Sequence, residues 1–141
     1  MSDFRLHAQI AADTARICDW PLCRVLLMND ARFPWIILVP RRAHVVELIN
    51  LTEHDRIALM GEIARASMIL KSWTTTRGGC DKLNVAMIGN VVPQLHAHIV
   101  ARRRTDSVWP LTVWGRGEPV RYGTDELAIA VTELGDLFTA Q

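Results

Sequence analysis

The sequence lacks a long apolar run and lacks a marked excess of either charge. The roughly 18 consecutive apolar residues that a transmembrane helix requires are absent. The net charge is only +1, whereas proteins dedicated to nucleic-acid binding normally carry a strong basic excess. We therefore expect neither a membrane nor a nucleic acid as a partner.

Cysteine is also scarce, and its placement excludes a disulfide framework. The three residues Cys18, Cys23 and Cys80 are scattered and form no C-x-x-C pair. An odd number of isolated cysteines is typical of reduced thiols. The first seven residues lack the apolar core of a signal peptide. Together these features predict a cytoplasmic protein.

Length and apolar content favour one domain over residues 1–141. A chain of 141 residues that is 50% hydrophobic can bury a substantial core but is short for two ordinary domains. No repeat, low-complexity tract or Pro/Gly-rich linker divides the sequence.

Apolar periodicity and turn formers predict an α+β fold. Strands are expected over residues 23–28, 35–39, 82–88 and 94–102, and helices over 6–17, 52–73 and from 124 onwards. Turn-forming residues 29–34 should join the first two strands as a hairpin, and Thr52 should cap the long helix. Strands packed on a long crossover helix form a two-layer sandwich.

Two helices are predicted to bury one apolar stripe each. For the long helix we expect the inward residues to be Ile57, Met60, Ile63, Ala64, Ser67 and Leu70. For the last helix we expect Leu127, Val131, Leu134 and Phe138.

The clearest functional signal is a pair of histidines, His96 and His98, in the last predicted strand. Side chains alternate between the two faces of a strand, so both imidazoles share one face with Gln94. The opposite face is purely apolar and suits packing on a helix, with Leu95, Ala97, Ile99 and Ala101. Because a core has no use for two polar rings, this face predicts a site.

From the residues alone, three interpretations of the pair stay open. The rings could be solvated on an open sheet face, could bind zinc, or could perform nucleophilic or acid–base chemistry. Zinc needs a third and usually a fourth ligand. His7, His44 and His54 form no metal-spaced cluster with Cys, Asp or Glu, and no H-E-x-x-H motif is present. Histidine chemistry without a metal is the interpretation we favour.

Residues 94–100, Gln-Leu-His-Ala-His-Ile-Val, resemble the histidine triad pattern His-φ-His-φ-His-φ-φ, where φ is apolar. Six of the seven positions agree, and Gln94 stands at the first histidine. Gly89-Asn90 lie where the family usually has Gly-Gln, and the segment from Trp35 through Pro40 to His44 resembles the family's second strand and its continuation. The likeness extends from about Cys23 to Arg104.

The resemblance implies a histidine triad-like antiparallel sheet with a long crossover helix and a C-terminal helix. It also implies a nucleotide hydrolase in which His96 attacks the α-phosphorus and forms a nucleotidyl-histidine intermediate. His98 would donate to a phosphate oxygen or the leaving group, with Gly89, Asn90 and neighbouring backbone N–H groups stabilising developing charge. Asn29 would contact the ribose of a purine nucleotide, and His44 would be an accessory histidine or a solvated loop residue.

The implied substrates are dinucleoside polyphosphates, as in diadenosine polyphosphate hydrolases, nucleoside phosphoramidates or adenylates. No Mg²⁺ or other cofactor is obligatory in this scheme. The resemblance further implies a homodimer paired through the edge strand and the long helix.

Gln94 is the departure from the pattern. An amide can still orient a neighbour through one donor and one acceptor, but it cannot transfer a proton near neutral pH. A nucleotide-binding regulatory module with little catalysis is therefore the alternative function.

Two further features have open interpretations in the sequence. Trp109 and Trp114 could be ordinary packing residues, or they could form a lid or dimer contact near the site. The basic run Arg102–Arg104 is more typical of a solvated strand end than of an anion-binding patch.

Overall fold

The protein is an α+β sandwich built on a five-stranded antiparallel sheet. The computed structural model describes residues 3–140. In chain order its elements are α1 (Ala8–Asp13), β1 (Thr14–Asp19), β2 (Cys23–Met28), β3 (Trp35–Pro40), α2 (Glu53–Trp73), β4 (Lys82–Ala86), β5 (Ala97–Arg102) and α3 (Thr124–Thr139). The strand order is β1-β2-β3-β5-β4. The predicted fold class is confirmed.

The predicted hairpin of β2 and β3 is present, with Cys23 opposite Pro40 and Leu27 opposite Ile36. The other two predicted strands are shorter than expected. β4 ends at Ala86 instead of residue 88, and β5 begins at Ala97 instead of residue 94.

The predicted helix over residues 6–17 is wrong in its second half. α1 ends at Asp13, and the following residues form β1, which pairs antiparallel with β2 from Thr14 opposite Met28 to Asp19 opposite Arg24. Without β1, the outer edge of β2 would expose unpaired backbone groups. Pairing across the sheet therefore overrides the weak helical pattern of this segment.

The long helix begins and ends where the sequence predicts. Thr52 caps it, since its hydroxyl oxygen accepts a hydrogen bond from the Asp55 N–H. The predicted inward stripe is wrong in part, because Ile57 and Met60 are 67% and 62% exposed and Ala64 is exposed as well. The buried side chains are Asp55, Leu59, Ile63, Ala66, Leu70 and Trp73. Apolar residues surround this helix on several sides, so periodicity alone does not determine which face packs.

The last helix agrees with its prediction. Leu134 and Phe138 of α3 are buried, and Leu127 and Val131 are partly buried against the same core. That core lies between the helices and one face of the sheet, and it includes Leu95, Ala97, Ile99 and Ala101, as the alternation in the sequence predicts.

The opposite face of the sheet carries a second apolar cluster and the histidines. Ile37 of β3 and Val100 of β5 belong to this cluster, which Ile10 of α1 also enters. Arg102 lies at the end of this face and is 1% exposed, in a bidentate ion pair with Asp106. The predicted solvated strand end is therefore wrong for Arg102, because a carboxylate from the following loop neutralises it inside the protein.

Candidate functional site

A cavity of about 460 Å³ opens on the histidine face of the sheet. Five parts of the chain line it: β5 with the loop before it, helix α1 with the start of β1, a loop segment around Trp114, Met28 at the end of β2 and Ile37 of β3. The residues from the first two parts are His96, His98, Ile88, Gly89, Asn90, Val91, Val92, Gln9, Ile10, Asp13 and Thr14. The structure thus brings His96, His98, Gly89 and Asn90 together, as expected from the sequence.

His96 is held in one tautomer by the backbone. Its ring is 7% exposed, and its Nδ1 lies 2.6 Å from the carbonyl oxygen of Gln94. A carbonyl oxygen only accepts, so Nδ1 carries the proton and donates it. The lone pair of the neutral ring is therefore on Nε2, and an imidazole in this state can act as a nucleophile.

His98 is held in the opposite tautomer by a side chain. The indole N–H of Trp35 donates to His98 Nδ1 at 3.1 Å. Because an indole nitrogen only donates, Nδ1 of His98 is the acceptor and Nε2 carries the proton. The two imidazole centroids lie 4.7 Å apart, so a ring with a free lone pair lies beside a ring that carries a donor N–H.

Burial, and secondly the neighbouring His96, lower the pKa of His98 to about 3. The ring is 6% exposed, so its charged form would lose most of its hydration. At neutral pH His98 is therefore an uncharged hydrogen-bond donor with a determined orientation. Such a donor can stabilise charge on a phosphoryl oxygen without reorganising.

The turn before β5 depends on a glycine. Gly89 has a φ of +69°, in the left-handed region that favours glycine. This conformation lets residues 88–92 form one wall of the histidine cavity.

The side chain of Gln94 is not among the residues that line this cavity within the described part of the chain. It lines a smaller neighbouring cavity of about 250 Å³, which also touches His96. Its amide bonds to the backbone of Arg5 and His7. Among the hydrogen bonds of residues 3–140, Gln94 reaches an imidazole only through its backbone carbonyl, and its side chain orients the N-terminal backbone instead of a neighbouring ring.

Asn29 lies in an adjoining cavity of about 450 Å³. The two cavities share Asp13, Met28, Trp114 and Gly115 as lining residues. The Asn29 Oδ1 accepts a hydrogen bond from the backbone N–H of Tyr122 at 2.9 Å. Asn29 therefore borders the histidine cavity through shared walls, and one of its acceptors is already used.

His44 is not brought to the site. It is exposed in the connection after β3 with a φ of +62°, and within residues 3–140 it lines neither the histidine cavity nor its neighbours. Its position agrees with the solvated-loop alternative.

Trp114 and Trp109, whose roles the sequence left open, have different surroundings in the structure. The Trp114 ring packs edge-on against His98 with centroids 5.4 Å apart, and it lines both larger cavities. Trp109 instead packs against the buried guanidinium of Arg102 at 5.5 Å. Trp114 belongs to the site, and Trp109 is a packing residue.

Sequence reasoning missed Trp35 and the N-terminal helix as parts of the site. Trp35 was identified as the start of a strand, but its bond to His98 depends on the pairing of β3 with β5. No local signal in residues 8–13 indicates that α1 covers the histidines.

The described residues offer no set of side chains that could bind a metal ion. Within residues 3–140, no group of three or more His, Cys, Asp or Glu side chains is arranged to hold a metal ion. In the same range, no helix is both long and apolar enough to cross a membrane.

An antiparallel sheet with paired imidazoles at the start of its inner strand β5 is typical of a histidine triad fold, and the comparisons agree. The HIT domain family matches residues 9–105. The chain belongs to this family, whose members are generally nucleotide-binding hydrolases or transferases.

Solved histidine triad proteins are similar over nearly the whole chain. The protein from Bradyrhizobium japonicum is 46% identical, with a TM-score of 0.87 over 93% of this chain and 95% of that one. The protein from Sinorhizobium meliloti 1021 is 36% identical, with a TM-score of 0.87 over 94% and 95%. The protein from Marinobacter aquaeolei VT8 is 41% identical, with a TM-score of 0.84 over 95% of both chains. No curated protein matches the chain.

Proposed function

We propose that this protein hydrolyses a nucleotide at its α-phosphorus, with His96 as the nucleophile. The Nε2 lone pair of His96 forms a bond to phosphorus while the bond to the leaving group breaks, and the leaving group keeps the bonding electron pair and takes the proton that it needs from water. Water then attacks the nucleotidyl-histidine, which releases a nucleoside monophosphate and restores the imidazole. One difficult displacement is thus divided into two easier ones.

One observation carries this proposal: the two imidazoles have complementary tautomers. The Gln94 carbonyl leaves the free lone pair on His96 Nε2, and the Trp35 indole leaves a proton on His98 Nε2. A nucleophile therefore lies beside a neutral donor for the phosphoryl oxygen or the leaving group. Neither solvated nor purely structural histidines need this arrangement.

The charges around His96 bear on the substrate class. The residues that line the histidine cavity and its smaller neighbour include the acids Asp13 and Glu47 but, within the described chain, no lysine or arginine. The adjoining cavity, which shares four lining residues with the histidine cavity, is lined by Arg32, Arg116 and Arg121. A polyphosphate chain has cationic partners on that side, so the charges are compatible with all three substrate classes: dinucleoside polyphosphates, purine nucleoside phosphoramidates and adenylates.

The test is to trap the intermediate. Enzyme mixed with adenosine 5′-phosphoramidate carrying a labelled phosphorus is quenched within the first turnovers and digested at neutral pH, because phosphoramidates are acid-labile. We expect the label on the peptide that contains His96. Label on another residue, or hydrolysis without a labelled peptide in rapid-quench experiments, would contradict the nucleotidyl-histidine route.

A nucleotide-binding module with little catalysis is the second candidate, and Gln94 is the observation that favours it. We propose that Gln94 replaces the first triad histidine, and its amide is occupied by backbone groups and cannot transfer a proton. Equilibrium binding of AMP with no detectable turnover of any of the three substrate classes would support this candidate over the hydrolase.

A further inference from the structure

Gln94 holds the N-terminal segment with both polar atoms of its side chain. Its Oε1 accepts a hydrogen bond from the backbone N–H of His7 at 2.9 Å, and its Nε2 donates to the backbone carbonyl of Arg5 at 2.8 Å. The partners lie 87 and 89 residues away in the sequence. One partner only donates and the other only accepts, so the orientation of the amide is determined.

His7 connects Gln94 to helix α1, because it is also hydrogen-bonded to the first turn of that helix. Its Nδ1 accepts a hydrogen bond from the Gln9 N–H at 3.0 Å, and its carbonyl accepts one from the Ala11 N–H at 3.0 Å. The first turn of α1 therefore starts on the residue whose own N–H is bound to Gln94. Because Gln9, Ile10 and Asp13 line the histidine cavity, the position of this wall depends on Gln94.

The same residue also contacts the nucleophile, through the carbonyl that accepts from His96 Nδ1. We infer that Gln94 is a positioning residue that couples the N-terminal wall of the cavity to His96 and thereby sets nucleotide affinity. It does so through hydrogen bonds to the backbone and takes no part in proton transfer. This inference rests on the proposed function, since it assigns a role within the same site.

A physical reason favours glutamine over histidine for this attachment. An amide offers one donor and one acceptor at every ordinary pH, whereas an imidazole loses its acceptor when it is protonated, near pH 6.5. A histidine at position 94 would therefore release the His7 N–H in mildly acidic conditions. Glutamine keeps the wall attached across that range.

Two single variants break the attachment from opposite sides. Gln94→Ala removes the amide. His7→Pro removes the backbone N–H together with the imidazole that caps α1, and the φ of −57° at His7 is compatible with proline. The matched control is His7→Ala, which keeps the N–H but removes the ring that caps α1.

The expected result is a change in affinity more than in chemistry. For adenosine 5′-phosphoramidate, KM should rise about fivefold in Gln94→Ala, as expected for the loss of a pair of weakly stabilising hydrogen bonds, and kcat should change less. The double variant Gln94→Ala/His7→Pro should raise KM by less than the product of the two single effects, because both single variants remove the same bond between the His7 N–H and Gln94. Gln94→Ala/His7→Ala should instead show additive effects.

A readout independent of turnover separates this inference from the proposed function. Amide hydrogen exchange of residues 8–13 should accelerate in Gln94→Ala and His7→Pro, and equilibrium affinity for AMP should weaken in both. If the wild type does not hydrolyse the phosphoramidate but these two changes occur, the positioning role stands and the hydrolase proposal fails.

Two results would overturn the positioning role. One is unchanged hydrogen exchange together with unchanged KM and AMP affinity in Gln94→Ala. The other is a large loss of kcat at constant KM in that variant, which would place Gln94 in the chemical step.

Discussion

At the scale of single residues, the site depends on two imidazoles whose partners are of opposite kinds. The backbone carbonyl of Gln94 accepts from His96, and the Trp35 indole donates to His98. In these neighbouring rings, whose centroids lie 4.7 Å apart, Nε2 consequently carries a lone pair on His96 and a proton on His98. The function of each histidine follows from its hydrogen-bond partner more than from its place in the motif.

Replacing His96 by alanine should remove hydrolysis and keep the fold. Alanine is compatible with this position, and the covalent route has no other nucleophile, so kcat should fall about 10³-fold or more. Steady-state kinetics and far-UV circular dichroism measure the two effects. His54→Ala, at an exposed position on α2, is the control and should keep wild-type kinetics. Wild-type kcat in His96→Ala would exclude His96 as the nucleophile.

The neutral state of His98 should make stability depend on pH. Its folded pKa is about 3, whereas the unfolded value is about 6.5. Between these values only the unfolded chain binds the proton, so this residue lowers the free energy of unfolding by about 1.4 kcal/mol for each pH unit of acidification. Denaturant titrations at pH 7 and pH 5 measure the loss. The loss should be smaller in His98→Asn, and an equal loss there would refute the assignment.

Hydrolysis should survive prolonged treatment with EDTA. His96 and His98 have no third or fourth metal ligand among residues 3–140. Elemental analysis of the purified protein should accordingly find no stoichiometric zinc. About one zinc per chain, with activity lost on its removal and regained on its return, would replace the nucleophile mechanism with a metal site.

At the scale of elements, the end of β5 is stabilised by a buried ion pair. Arg102 Nε lies 2.7 Å from Asp106 Oδ2, and the two side chains are 1% and 3% exposed. A second nitrogen of the same guanidinium donates to Asn84 Oδ1 of β4 at 3.0 Å. This network attaches the loop after β5 to β4 and to the strand that carries His98.

Asp106→Ala should therefore be strongly destabilising. It leaves the Arg102 charge buried without a partner, a change that costs about 3–5 kcal/mol in the free energy of unfolding. Urea denaturation measures the loss. Adding Arg102→Met should restore part of it, because no isolated charge then remains. Arg16→Ala removes a pair whose arginine is 60% exposed, and it should cost less than about 1 kcal/mol. Equal losses in Asp106→Ala and Arg16→Ala would contradict this account.

At the scale of the whole molecule, one side of the protein is more apolar than a lone chain requires. The outer face of α2 exposes Ile57, Met60 and Met68 at 62–67%. The edge strand β4 pairs only with β5 within the described chain and exposes Val85 at 46%. An uncovered edge invites pairing with another strand, and two-fold symmetry lets one surface cover its own copy.

We propose that the protein is a homodimer through this edge and the long helix. Light scattering at micromolar concentration should give a mass near twice 15.9 kDa. Val85→Glu should shift the mass toward that of one chain. Ile129→Glu, at an equally exposed position on α3 (56%), should not. A monomeric wild type would refute the proposal.

Local residue order was sufficient to place His96 and His98 at one cavity, since alternation between faces is a property of any extended chain, although β5 begins only at Ala97. It was also sufficient for the bounds of α2 and for the hairpin of β2 and β3, whose caps and turns lie within a few residues. The likeness to the histidine triad pattern indicated the family from the same short segment.

The tertiary structure decided what depends on segments distant in the chain. Residues 14–19 form β1 because they pair with the edge of β2. Ile57 and Met60 of α2 face outward because the sheet packs against another side of that helix. The Gln94 amide forms hydrogen bonds with backbone groups 87 and 89 residues away and not with the imidazoles. Such pairings are set by which surfaces the whole fold brings into contact, and no local pattern encodes them.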